Sequence, residues 1–487
     1  MATSDQKPYS VIEAEVPPED IREGEYGERV IAVEPGGAEF IPLSERHGRP
    51  LQLFWTWTSP NLEFATVFVG VLGVALFGLS FWQTVLAILV GTAAGAVSMG
   101  ILSARGPTHG VPQMVLSRLG FGYRGNILPA GLNSLTAGIG WFAVNSVSGT
   151  FALNTLTSLP NWLCLVIIVV LQIVVAFFGH NLVHAFERYA FPVLAVIFLI
   201  TTAVILSKAH PGFRTSAPPY FGGTLGGFLL TTGAVYGYAV GWNPYASDYT
   251  RYLPPGTSKG RIALWAGLGL FLSCVVLEIA GAAAVTIGKG GAGAFLGSNP
   301  TGAFTGHLPT ALADATLLAI ALGAVSANVL NIYSGALSFV ALGIRLPLAL
   351  RRAIVALVFG AIGFVVALTG LHGAVEKYNN FLLIIAYWIA PWLAVSFCDQ
   401  WLRRGRDVEP LLFDRKHTNW AGPVAMAIGM GVSIWLFSNQ TEYVGLVPSH
   451  VPAVGDLTFE VGFILTAVIY LAWHAVTGRR RAVPAVS

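Results

Sequence analysis

The stretch Gly138–Gly149, GIGWFAVNSVSG, sets Trp141 and Asn145 four residues apart. On a helix that spacing puts both on one face. An indole stacks on a flat ring, and an amide beside it pairs with donors and acceptors at the ring's edge. The pair therefore suits a planar nitrogen heterocycle. It suits equally a packed tryptophan with an asparagine bonded to a neighbouring helix. A second stretch, GAVSANVLNIYSGALS, carries Ser326, Asn328, Asn331, Tyr333, Ser334 and Ser338 inside an otherwise apolar run. Hydroxyl and amide oxygens suit a hard monovalent cation, and the same side chains can hold helices together.

Other residues break the runs that contain them. WTWTSPNLEFATVFVG places Ser59, Pro60, Asn61 and Glu63 at the head of an apolar run. Pro60 removes an amide donor and disturbs the helix before it, which frees carbonyls near Trp57 and Thr58. The alternative is an ordinary helix start, with Ser59 as N-cap and Pro60 in the first turn. Gly233 precedes GYAVGWNPYASDYTRYLP, in which Gly237 and Gly241 lead to Asn243–Pro244 and the run closes on Asp248 and Arg251. That is a broken span, or a kink that only shapes packing. Glu63, Glu278 and Asp314 are single acids in apolar surroundings, where acids are costly and usually functional or paired. Glu63 and Glu278 are candidate proton carriers. Asp248 and Arg251, like Asp399 with Arg403 and Arg404, sit at span ends and suggest ion pairing and gating.

The elements that hold these residues are membrane spans. The chain has 487 residues, of which 54% are hydrophobic and 10% charged, against roughly 25% charged in a soluble domain. A bilayer crossing needs about 20 apolar residues. Runs of that kind fall at 54–79, 83–104, 126–150, 161–180, 187–207, 222–246, 262–287, 311–338, 352–371, 377–398, 419–438 and 458–476. With the N-terminus inside, eighteen Lys and Arg lie in the inner loops and C-terminal tail, against four outside (Lys208, Arg214, Lys289, Lys377). The bias favours both termini in the cytoplasm of a multi-pass cell-membrane protein. Residues 1–50 are polar and mixed in charge, and read as a mostly disordered cytosolic tail.

A net charge of +3 gives no case for nucleic acid as a partner. Cys164, Cys274 and Cys398 lie far apart, and read as small buried hydrophobes. His180 and His184 share a helix face but lack a third ligand, so no metal centre is expected. No nucleotide-binding loop, nucleophile elbow or metalloprotease motif is present. An enzyme is not indicated.

These motifs resemble the nucleobase:cation symporter-1 family, in its purine–cytosine permease branch. GYAVGWNPYASDYTRY is similar to that branch's sixth-span signature, and GWFAVNS to its third-span motif. NIYSGALS is similar to the eighth-span stretch, and NNFLLIIAYWIAPWLAVSFCDQWLRR to the tenth span and its end. The resemblance covers about residues 50–420, in order. It implies an all-α fold of the LeuT type with twelve transmembrane helices. Residues 51–210 and 211–400 would form two inverted repeats of five spans, 401–478 the last two spans, and 479–487 a cytosolic tail. It implies a monomer in the lipid bilayer that imports a nucleobase or related small planar heterocycle by alternating access, with Na⁺ or H⁺ as coupling ion, Na⁺ favoured, and no other cofactor. The substrate would stack on Trp141. Gly138 and Asn145 fall where relatives carry an edge-binding glutamine. The sixth-span aromatic that would sandwich the ring falls on Ala239, flanked by Tyr238 and Trp242. Gly241, Asn328 and Asn331 complete the expected substrate contacts. Thr58, Asn61, Gly323, Ser326 and Ala327 fall at the expected cation site. A symporter for another ring compound (allantoin, hydantoin or a vitamin precursor) and a non-transporting receptor of the same fold are the alternatives.

Overall fold

The structure is a computed structural model. It describes residues 16, 21 and 37–481, apart from 178–179, 213–219, 289–290, 298, 345–347 and 407, and it leaves the side chains of 175–191, 345–356 and 478–481 undescribed. The His180/His184 pair, the C-terminal tail, most of the N-terminal tail and several loop cations (Arg188, Arg214, Lys289, Arg345, Arg351 and Arg352) lie outside the described side chains. Among the described residues Cys164 and Cys274 are buried and Cys398 is half-buried, all as free thiols.

The fold is all-helical, and helices occupy each of the apolar runs. They are α1 (Gln52–Thr58), α2 (Phe64–Val71), α3 (Phe81–Ser103), α4 (Ile127–Leu135), α5 (Phe142–Thr157), α6 (Asn161–Phe177), α7 (His180–Lys208), α8 (Gly223–Val240), α9 (Ala246–Thr250), α10 (Lys259–Val285), α11 (Thr310–Ala341), α12 (Leu348–Gly370), α13 (Ala374–Leu402), α14 (Ala421–Phe437) and α15 (Thr458–Arg481). Among the described residues six helices are long and apolar enough to cross a membrane, and the bent pair at 52–61 and 64–76 makes a seventh. Four further apolar helices, Asn161–Val174, Pro192–Lys208, Leu357–Gly370 and Ala421–Phe437, are shorter. Leu86, Val90, Val97, Leu199, Val365, Ile464 and Val468 stay exposed along these helices. Apolar faces of that extent are at home in lipid.

Two spans are broken where the sequence places proline. The halves of the first meet at 66°. Ser59–Asn61 forms a 3-10 turn, and Glu63 turns extended to cap α2 by accepting from Ala65 N at 2.9 Å. Glu63, not Ser59, is therefore the N-cap of the continuing helix. In the sixth span α8 stops at Val240, Asn243–Tyr245 makes a 3-10 turn, and α9 follows. Two π-helical turns, Leu72–Leu76 and Thr136–Trp141, were not foreseen from the sequence. The second turns Trp141 to its position at the head of α5.

The broken first span is held by close backbone approach. A Cβ on Gly281 of α10 would overlap the Val67 carbonyl oxygen, and one on Gly70 of α2 would overlap that of Glu278. Overpacking costs about 1–3 kcal/mol even where side chains can yield, and backbone yields less. Gly281→Val is expected to lower the thermal unfolding midpoint by several degrees and reduce folded yield. A midpoint equal to wild type would show that α2 and α10 can separate freely.

Candidate functional site

Trp141 is 4% exposed and stands edge-on to two rings. Tyr238 of α8 lies at a centroid distance of 5.4 Å and an interplanar angle of 88°, and Phe381 of α13 at 5.2 Å and 80°. Gly241 lets the indole approach the break of the sixth span: a Cβ there would lie 3.0 Å from Trp141 Cζ2. The aromatic partner from the sixth span is thus Tyr238. Ala239, at which the count along the family pattern arrives, points at α3, where a Cβ on Gly95 would stand 2.6 Å from its own Cβ. Gly138 also faces elsewhere, since a Cβ on it would run into the Phe359 ring of α12. Phe381 was not singled out from sequence, although it lies in a stretch that carries the family resemblance.

One turn beyond Trp141, Asn145 donates from Nδ2 to Asn328 Oδ1 at 2.9 Å. The same oxygen accepts from Asn331 Nδ2 at 3.2 Å, and Asn328 Nδ2 donates to the Phe142 carbonyl at 2.8 Å. Tyr245 OH donates to Asn331 Oδ1 at 3.1 Å. Asn328 and Asn331 are therefore committed to the protein and hold Asn145 in place. Asn145 Oδ1 is buried without a partner. An unpaired buried acceptor costs about 1–3 kcal/mol, and here it lies one helical turn from a tryptophan face.

The turn at Ser59–Asn61 meets α11. Ser59 Oγ and Ser326 Oγ are 3.5 Å apart. Gly323 lies against Glu63, so that a Cβ on it would come within 2.8 Å of Glu63 Cβ. Of the expected first-span cation ligands, Thr58 turns its hydroxyl to the carbonyls of Phe54 (2.7 Å) and Gly269 (3.2 Å), away from α11. The Asn61 side chain spans the break, donating to the Trp57 carbonyl at 2.6 Å and accepting from Trp242 Nε1 at 2.9 Å. The Trp57 carbonyl, expected to be free, is thereby engaged. Ser59, placed from sequence at the break with a helix cap as the alternative and not counted among the cation ligands, is the hydroxyl that faces Ser326. Ala327 is buried, as is Ser326.

The acids divide by surroundings. Glu63 is buried beside the break, 3.4 Å from Tyr238 OH. Glu278 is fully buried, accepts from Thr92 Oγ1 at 2.9 Å, and keeps Oε1 without a partner. Asp314 is exposed near the start of α11. Asp399 accepts from Arg403 Nε at 2.8 Å and Tyr470 OH at 2.7 Å.

The two sides of the site differ. Toward one face a cavity of about 240 Å³ opens above Phe381 and Gly140, lined by Phe64, Phe68, Phe151 and Tyr378, with Lys377 near its mouth. Toward the other face the site is covered. Asp248 accepts from Gln113 N at 2.9 Å. Arg251 is fully buried and donates to the Gly37 carbonyl at 2.9 Å and to Tyr333 OH at 3.3 Å. Residues 37–47, assigned from sequence to a disordered tail, pack here instead. Phe40 and Ile41 are buried, Ile41 N donates to the Gly110 carbonyl at 3.0 Å, and Arg46 donates to the carbonyls of Ile41 and Pro107 at 2.8 and 3.0 Å.

Known proteins resemble this chain in sequence and in fold. A family model described as "Permease for cytosine/purines, uracil, thiamine, allantoin" matches residues 40–462. The chain is 31% identical over 454 residues to the purine-cytosine permease fcyB of Emericella nidulans, covering 90% of this chain and 88% of that one. It is 30% identical over 434 residues to the purine-cytosine permease FCY21 of Saccharomyces cerevisiae, covering 85% and 80%. Among solved structures, Mhp1, a nucleobase-cation-symport-1 family transporter in a closed conformation with bromovinylhydantoin bound, matches with a TM-score of 0.68 at 20% identity, over 91% of this chain and 96% of that one. That likeness establishes the fold.

Proposed function

The chain belongs to the family of permeases for cytosine/purines, uracil, thiamine and allantoin, and we propose that it imports cytosine or a purine together with a monovalent cation by alternating access. The observation that carries the substrate class is Asn145 Oδ1, a buried acceptor without a partner one turn from Trp141. A nucleobase stacked on the indole would bring a ring or exocyclic N–H to that oxygen. Its entry would require Phe381 to swing from the indole, and Gly241 leaves the backbone of the sixth span close to the ring plane.

Na⁺ is the favoured coupling ion, held between the hydroxyls of Ser59 and Ser326 with carbonyls of the broken first span. Such oxygen ligands suit a hard cation, and broken spans facing one another are where transporters of this kind bind ions. Twelve spans, arranged as two inverted five-helix repeats and two further helices, form the frame. The face covered by Arg251 and residues 37–47 lies in the cytoplasm, as the loop charges favour, and the open cavity outside.

Binding of radiolabelled cytosine, adenine, hypoxanthine, uracil and allantoin to the purified protein, with Na⁺ or choline, tests the reading. Saturable binding of cytosine or a purine that tightens in Na⁺ is expected. Tight binding of allantoin alone would move the substrate out of the nucleobase class.

A further inference from the structure

One residue touches both halves of the proposed site. Tyr238 stands edge-on to Trp141 through its ring, and its hydroxyl reaches the broken first span. Tyr238 OH lies 2.5 Å from Thr66 Oγ1, and Thr66 Oγ1 donates to the Asn61 carbonyl at 2.6 Å. A threonine hydroxyl has a single proton. Thr66 spends it on Asn61, so the tyrosine proton serves the short contact with Thr66, and Glu63 Oε1, 3.4 Å away, is a second and more distant acceptor for it. The chain thus runs one way, from Tyr238 through Thr66 to the carbonyl of Asn61.

Asn61 closes the 3-10 turn that also carries Ser59, the hydroxyl facing Ser326. One helical turn after Tyr238, Trp242 grips the same turn through Asn61 Oδ1. Any change in that turn on cation binding is therefore passed to α8 at two points. Of these, only the Tyr238 contact leads on to the indole, since the Trp242 ring packs edge-on against Trp57 and Tyr245.

We infer that Tyr238 is a positioning residue that couples Na⁺ binding at Ser59 and Ser326 to stacking of the heterocycle on Trp141. The hydroxyl reads the conformation of the first-span turn, and the ring sets the orientation of the indole. By linkage the effect is reciprocal: Na⁺ tightens the heterocycle and the heterocycle tightens Na⁺ by one factor. The inference rests on the symport reading given above.

The test is the coupling factor, measured as the ratio of cytosine or adenine Kd in choline to that in Na⁺ on the purified full-length protein. Wild type is expected to show a factor of about 5- to 150-fold, the usual span of such couplings. Tyr238→Phe keeps the ring and loses the hydroxyl. Whatever its affinity in choline, its factor should fall toward one. Thr66→Val, which leaves Tyr238 whole and cuts the chain at its middle, should behave alike, and it serves if Tyr238→Phe folds poorly. A merely structural role would shift both affinities together and leave the ratio intact. A ratio that survives in either variant, or a wild type indifferent to Na⁺, overturns the inference and leaves heterocycle transport standing. A wild type that binds neither probe takes down the transport reading and this inference with it.

Discussion

Trp141→Ala is expected to weaken heterocycle binding by at least tenfold and to reduce uptake to background. Stacking of a base on an aromatic ring contributes about 1–3 kcal/mol, and a tenfold change in affinity corresponds to about 1.4 kcal/mol. The indole also supports Tyr238 and Phe381 edge-on, so its removal loosens the walls of the slot. Truncating a buried tryptophan costs about 3–5 kcal/mol of folding stability. Trp141→Phe separates the two effects, because it retains a flat face and most of the packing. It should recover folding fully and binding in large part. Isothermal titration or scintillation-proximity binding on size-homogeneous protein reads the difference. Unchanged affinity in Trp141→Ala would remove the indole from the site.

The second large effect is at Arg251. Its guanidinium is fully buried, yet it bonds a carbonyl in the N-terminal segment and a hydroxyl on α11. Hydrogen bonds to charged groups contribute roughly 1.5–3 kcal/mol each. Losing them, and leaving their partners buried, should release the cover on this face. Arg251→Ala is expected to raise amide exchange in residues 37–47 and 246–253 by tenfold or more and to depress concentrative uptake. Arg251→Lys should fall between, since an ammonium cannot span both partners in the fixed geometry of a guanidinium. Hydrogen–deuterium exchange in detergent or nanodiscs makes the measurement. Protection equal to wild type would mean that Arg251 fills space without closing anything.

Much of this was legible in the sequence, and for stated reasons. Proline and a cluster of small residues break helices by local chemistry, so both breaks could be located from Pro60 and from Asn243–Pro244. Trp141 and Asn145 share a face because of helical spacing alone. What could not be read is what depends on contacts distant in sequence. Nothing local to Phe381 says that it will lie against an indole 240 positions earlier, nor does anything near Ser59 name Ser326 as its neighbour.

The Ala239 expectation failed for a geometric reason. Each residue turns an α-helix by about 100°. Counting back from Asp248 along the family pattern gives a position in sequence and not the face that position presents, so a register off by one moves the side chain to another face. That slip is enough to exchange Tyr238, which meets Trp141, for Ala239, which meets Gly95. The π-helical turn before Trp141 is of the same kind: it inserts a phase change that periodicity does not announce. Residues 37–47 were misread because their composition is that of a tail. What orders Phe40 and Ile41 is a crevice built by the loop at Pro107–Gly110 and the end of the sixth span.

The central claim is that this chain moves a nucleobase against its gradient at the expense of a cation gradient. Purified protein in sealed vesicles, given radiolabelled cytosine or adenine and an inward Na⁺ gradient, measures it directly. Accumulation above the external concentration is expected, with collapse of that accumulation when the gradient is dissipated and its loss in Trp141→Ala. Equilibration without accumulation, indifferent to both Na⁺ and proton gradients, would contradict it.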